Sequence, residues 1–115
     1  MIRQAASLKT ETREKMRDGN GKVVLTAFLS AEEMNGKNRL FSKITLAPGC
    51  SIGYHEHHGE SEIFVVKSGK GTFNDNGTEY TVSEGDVCIT SSGMGHSVAA
   101  AGDETLELIA LIILD

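Results

Sequence analysis

Along this chain the apolar positions fall at every second residue in short stretches, and glycines or polar turn residues end each stretch before a 3.6-residue period can develop. Nine segments carry the pattern: Lys22–Leu29, Leu40–Leu46, Ile52–His57, Glu62–Ser68, Gly71–Asn74, Thr78–Val82, Asp86–Thr90, Ser97–Ala100 and Leu106–Leu114. Short strands so spaced predict an all-β fold. Asp75-Asn76-Gly77-Thr78 predicts a type I′ hairpin, because Asn-Gly readily supplies the two positive φ values of that turn. Ser30-Ala31-Glu32-Glu33 has the spacing of a capping box and predicts one helical turn, followed by a loop at Asn35-Gly36-Lys37-Asn38. The last segment alternates at first and then becomes apolar on both faces. One face can fill the core, and the other needs a cover, either the N-terminal segment or a second subunit.

Residues 1–21 lack the pattern. They are polar and charged, with both signs between Lys9 and Asp18, and read as an N-terminal arm, loosely packed or disordered, ahead of a single domain over 22–115. The 115 residues suit one domain, and no repeat or linker divides them. A hydrophobic content of 39% with 23% charged residues suits a soluble globular protein. The net charge of −5 gives no electrostatic reason to approach nucleic acid or an anionic membrane. The N-terminus carries no apolar signal-peptide core, and the longest apolar run, Leu108 to Leu114, is too short to cross a bilayer. Cys50 and Cys88 lack C-x-x-C spacing, so two free, partly buried thiols in a reducing cytoplasm are expected.

The candidate chemistry lies in the histidines. Three of the four stand in His55-Glu56-His57-His58 and the fourth is His96. Strand alternation puts His55 and His57 on one face, with Glu56 and His58 on the other. After a turn containing Gly59, Glu62 shares parity with Phe64 and Val66, which would bring a carboxylate to the same interior as the imidazoles. His58 would then face outward and Glu60 would sit in the turn, both as solvated rim residues.

With these residues in place, the chain resembles the cupin superfamily. Gly49-x5-His55-x-His57-x4-Glu62-x6-Gly69 is similar to the first cupin motif at every defining position, and Gly85-x5-Ser91-x-Gly93-x2-His96 is similar to the second. Ser91 stands where the family usually has proline and Ala100 where it usually has asparagine; neither departure removes a metal ligand. The resemblance implies a double-stranded β-helix, or jelly-roll, barrel in which His55, His57, Glu62 and His96 bind one divalent transition metal ion. Three neutral imidazoles and one carboxylate leave such an ion at net +1, with two open positions in octahedral geometry, which suits a small anionic substrate or ligand. Nitrogen and oxygen donors without thiolate are compatible with manganese, iron, nickel, cobalt or zinc.

Within the superfamily, Asn38-Arg39-Leu40-Phe41, Glu60-Ser61-Glu62-Ile63-Phe64 and Gly85-Asp86-Val87-Cys88 resemble single-domain proteins described as oxalate-decarboxylase-like. That resemblance implies manganese and a small carboxylic acid. Oxalate decarboxylases carry two fused cupin domains and a mobile loop that supplies an acidic proton donor; this chain has one domain, and no residue is assigned as that donor. An iron-dependent dioxygenase and a non-catalytic small-ligand-binding module are the alternatives. Small cupins commonly pair through their sheets, which together with the two-faced final strand leads to the expectation of a homodimer.

Overall fold

The computed structural model describes all 115 residues. Its strands are β1 (Thr10–Glu14), β2 (Lys22–Ala27), β3 (Asn38–Leu46), β4 (Ser51–Glu56), β5 (Glu60–Ser68), β6 (Lys70–Asp75), β7 (Thr78–Ser83), β8 (Val87–Thr90), β9 (Gly95–Ala100) and β10 (Leu106–Leu114). A one-turn helix, α1 (Ala31–Met34), lies between β2 and β3. The strands form two antiparallel sheets, β1-β2-β3-β10-β5-β8 and β4-β9-β6-β7, that make a jelly roll of facing sheets without closing into one hydrogen-bonded cylinder. All nine expected segments are strands, within a few residues at their ends.

The local signals act as their chemistry requires. Asn76 and Gly77 both have positive φ, at 50° and 107°, and connect Asp75 to Thr78 in a two-residue hairpin. Ser30 caps α1 in both directions: its hydroxyl accepts from Glu33 N, and its own N–H donates to Glu33 Oε1 at 2.8 Å.

Alternation along each strand sends one face into the space between the sheets. Val23, Leu25, Ile44, Leu46, Phe64, Val66, Leu106, Leu108 and Ala110 from the large sheet meet Ile52, Phe73, Val82 and Val98 from the small one. Each large apolar side chain buried there contributes roughly 1.5–3 kcal/mol. Glu62 belongs to the same inward row as Phe64 and Val66, and all three are buried. The interior is therefore apolar along most of its depth and polar at one mouth.

The segment ahead of Lys22 differs from the loose arm that its composition suggests. Thr10–Glu14 pairs with β2 at five consecutive positions and forms the edge of the large sheet. Every residue of β1 is exposed, so it has no apolar face for a sequence pattern to reveal. With β1 at that edge, the segment does not cover β10. Leu106, Leu108, Ala110 and Ile112 of β10 are buried inward, whereas Ile109 and Leu111 are half-buried on the outer face and Ile113 is exposed. Cys50 and Cys88 are free. No helix is long and apolar enough to cross a membrane.

Candidate metal centre

Three neighbouring strands bring the four sequence-identified residues together. His55, near the end of β4, is paired directly across the ladder with His96 of β9. His57 lies one residue beyond β4, yet its N–H donates to Met94 O at 3.0 Å and its carbonyl accepts from Gly93 N, so it keeps the inward parity of His55. Glu62 arrives from β5, opposite Thr90 of β8. One ligand atom from each of His55, His57, Glu62 and His96 lies within 4.8 Å of the others. His57, Glu62 and His96 are buried and His55 is half-buried.

His96 is the hub. Its Nε2 is 3.1 Å from His57 Nε2, 3.2 Å from His55 Nε2 and 3.1 Å from Glu62 Oε1, and His57 Nε2 is also 3.1 Å from Glu62 Oε1. Donors held about 2.1–2.2 Å from one ion would stand about 3.0–3.1 Å apart on an octahedral edge and about 3.4–3.6 Å apart on a tetrahedral one. The observed spacings match the octahedral edge more closely.

The outer nitrogens decide where the protons are. His55 Nδ1 faces Gly53 O at 2.8 Å; a carbonyl only accepts, so Nδ1 carries the hydrogen and Nε2 is a bare lone pair. His57 Nδ1 donates to Glu60 Oε2 at 2.6 Å, which leaves its Nε2 bare as well. His96 Nδ1 pairs with the Thr90 hydroxyl at 2.7 Å, a partner that suits either tautomer. With the three rings neutral, four electron-rich atoms therefore converge with at most one proton among them. Such an arrangement is repulsive by itself and is what a divalent cation relieves. The His96 ring is further fixed by Phe64, stacked at 5.1 Å, and Phe73, edge-on at 5.7 Å. Burial, followed by the neighbouring imidazoles and the charge of Arg17, lowers the His55 pKa, while its bond to Gly53 opposes the shift. The neutral, metal-ready form is favoured.

The turn residues separate. His58 is exposed and meets only Glu56, as parity predicts. Glu60 is no solvated rim residue: it opens β5 with 12% of its side chain exposed and accepts from Arg39 Nε and Nη2 at 2.8 and 2.7 Å as well as from His57. The Arg39 guanidinium, and secondarily His57, hold the Glu60 carboxyl down at about 2. Strand parity missed it because the turn hands over to the strand two residues earlier than the apolar pattern begins. The roles of Thr90, which reaches His96 across the turn between β8 and β9, and of the Gly53 carbonyl, two residues before His55 in β4, also had no signal in the sequence, since strand alternation does not carry ring orientation.

Three of the four donors, His55, His57 and Glu62, line a cavity of about 510 Å³ whose wall also includes Arg13, Lys15, Arg17 and Arg39 together with Glu14. A chain of net charge −5 thus concentrates cations around this one opening. Three of them come from the segment expected to be a loose arm. Lys15–Asp18 forms a strap over the mouth, with Lys15, Arg17 and Asp18 in left-handed backbone at φ 49°, 55° and 64°. Non-glycine residues in that region cost on the order of 1–3 kcal/mol each and persist where the surroundings impose them. Here Lys15 N donates to Gly21 O at 2.9 Å, Ser51 N to Asn20 O at 2.8 Å, and Asn20 N to Ser51 Oγ at 2.9 Å. Gly19 and Gly53 let the two backbones touch: a Cβ on Gly53 would fall 1.9 Å from Arg17 O, and one on Gly19 would fall 2.3 Å from Ser51 O.

Comparison with known proteins agrees with this arrangement. The family model described as "Cupin domain" matches residues 42–112. The "Oxalate-binding protein" of Thermotoga maritima is 42% identical over 114 residues, covering 99% of this chain and 94% of that relative. A crystal structure from Thermotoga maritima, described as a "predicted oxalate decarboxylase", superposes with a TM-score of 0.96 at 42% identity over the whole of both chains. The cupin domain of Schizosaccharomyces pombe Cnp3 has a TM-score of 0.77 at 14% identity, over 100% of this chain and 74% of the other, and shares the fold.

Proposed function

Since this chain belongs to the cupin family, we propose that it binds a small carboxylic acid, with oxalate the first candidate, through a divalent metal ion held by His55, His57, Glu62 and His96. The observation that carries this reading is the convergence of three imidazoles and a carboxylate, two of the imidazoles with their protons committed outward, at the base of a cation-rich cavity. The ion would supply Lewis acidity and one end of the anion's binding. The chain supplies the rest. Gly53, Glu60 and Thr90 orient the imidazoles, and the basic mouth attracts an anion. Manganese is the metal we propose, by resemblance to oxalate-decarboxylase-like proteins, and nitrogen and oxygen donors without a thiolate suit it.

Metal analysis of the native protein, followed by calorimetric titration with oxalate before and after chelation, tests the reading. We expect manganese at about one ion per chain, the stoichiometry of a single cluster, and oxalate binding that chelation abolishes. Iron in place of manganese, with oxygen uptake on substrate addition, would favour the dioxygenase. A second reading, turnover of the acid, is favoured by Glu14, the one carboxylate besides Glu62 in the cavity wall. Carbon dioxide release from oxalate decides between binding and turnover.

A homodimer in the cytoplasm completes the proposal. Its support is the outer face of the large sheet, where Ile63 is paired with Ile89 and Leu111, and Val65 with Val87 and Ile109. Ile89 is 61% exposed and Val87 56%, so this apolar patch runs across three strands and would gain from a cover. Free thiols suit a reducing compartment.

A further inference from the structure

We propose that Arg17 clamps the free end of a small dicarboxylate, an inference that rests on the metal-dependent acid binding above and names the residue that selects its ligand. The cavity wall holds three guanidinium groups, and two are committed: Arg39 to Glu60 through two nitrogens, and Arg13 to Glu11 at 2.7 Å. Arg17 has no carboxylate partner and lines the same cavity as His55, His57 and Glu62. Lys15 is also unpaired, but an ammonium is a point charge, whereas a guanidinium matches both oxygens of a carboxylate.

The strap gives this contact its position. Arg17 is held in left-handed backbone with its carbonyl against Gly53, the residue whose own carbonyl orients His55. Side chain and ligand imidazole thus hang from one backbone contact. A monocarboxylate has its whole charge at one end. A dicarboxylate presents a second charge, which needs a partner in a wall whose other guanidinium groups are already engaged. Arg17 supplies it and discriminates between the two classes.

The test uses the full chain loaded with manganese(II), titrated calorimetrically with oxalate and with acetate. Arg17→Asn removes the guanidinium while keeping a residue that tolerates left-handed backbone, and Arg17→Lys keeps the charge without the fork. We expect Arg17→Asn to weaken oxalate on the order of tenfold, to change acetate by less than about twofold, and to leave bound manganese unchanged. Arg17→Lys should fall between Arg17→Asn and the wild type. The clamp is overturned if Arg17→Asn binds oxalate like the wild type, if both acids weaken equally, or if Arg17→Lys restores oxalate fully. Absence of oxalate binding by the loaded wild-type protein would overturn the proposed function and the clamp together, while wild-type binding with an unaffected Arg17→Asn overturns the clamp alone.

Discussion

Glu60 Oε2 lies 2.6 Å from His57 Nδ1 and 2.7 Å from Arg39 Nη2, so one carboxylate ties a ligand imidazole to a cation of the cavity wall. Partners of this kind hold the ring and its tautomer and commonly contribute 10–100-fold to metal affinity. Glu60→Gln keeps an acceptor for Nδ1–H but loses the charge facing Arg39. We expect it to weaken manganese binding by about tenfold and Glu60→Ala by about a hundredfold. Competition against a chelator of known affinity measures both.

Removal of a proposed ligand should be more severe. His57→Ala or Glu62→Ala deletes a donor that stands 3.1 Å from His96 Nε2. Each variant should purify with less than roughly a tenth of the wild-type metal. Unchanged metal content, read by elemental analysis, would show that the ion sits elsewhere.

Gly53→Ala tests the contact between strap and strand. Its Cβ would meet the Arg17 carbonyl at 1.9 Å, and neither backbone can yield without moving the other. Overpacking of this kind costs roughly 1–3 kcal/mol. A lower denaturation midpoint should accompany faster amide hydrogen exchange at Lys15 and Asn20, whose N–H groups donate within the strap's anchors. Exchange elsewhere in the sheets should change less.

The outer face gives a prediction about assembly. Ile89→Asp places a charge at the exposed end of the apolar row that continues through Ile63 to Leu111, on a side chain outside the protomer's core. Light scattering with size exclusion should show a dimer for the wild type and a monomer for the variant. Identical masses would remove this face as the interface.

A pH effect is expected far from the metal. Hydrogen bonding to Arg3, and then to Ser30, lowers the Glu33 carboxyl from 4.5 to about 2. A carboxylate whose folded pKa is depressed stabilises the fold above its unfolded value, and that contribution is lost as the pH falls from 4.5 through 2. Carbon-detected NMR titration should place the Glu33 midpoint near 2 and, in Arg3→Ala, nearer to 4.5.

These tests also separate what could be read from the chain alone. The clustering of the four candidate donors was legible because His55 and His57 sit two apart with the same parity, Glu62 shares parity with Phe64, and His96 closes a second spaced motif. The barrel was legible through its buried faces. What stayed hidden lacks any one-dimensional mark: β1 alternates nothing because neither face is buried, and Glu60 looks like a turn residue until Arg39 and His57 close around it. Thr90 meets His96 across the short turn by which the chain passes from β8 of one sheet to β9 of the other. Such roles arise from contacts between one element and another, which alternation along one segment does not encode.

The strap over the mouth implies a division of labour along the chain. Every proposed metal donor lies between His55 and His96, while three of the four cations around the opening lie between Arg13 and Arg17. On the proposed function, ion capture and ligand choice are written in separate stretches joined by the Gly19–Gly53 contact. A cupin that kept the same four donors and exchanged only its first twenty residues would hold the same ion and greet a different acid.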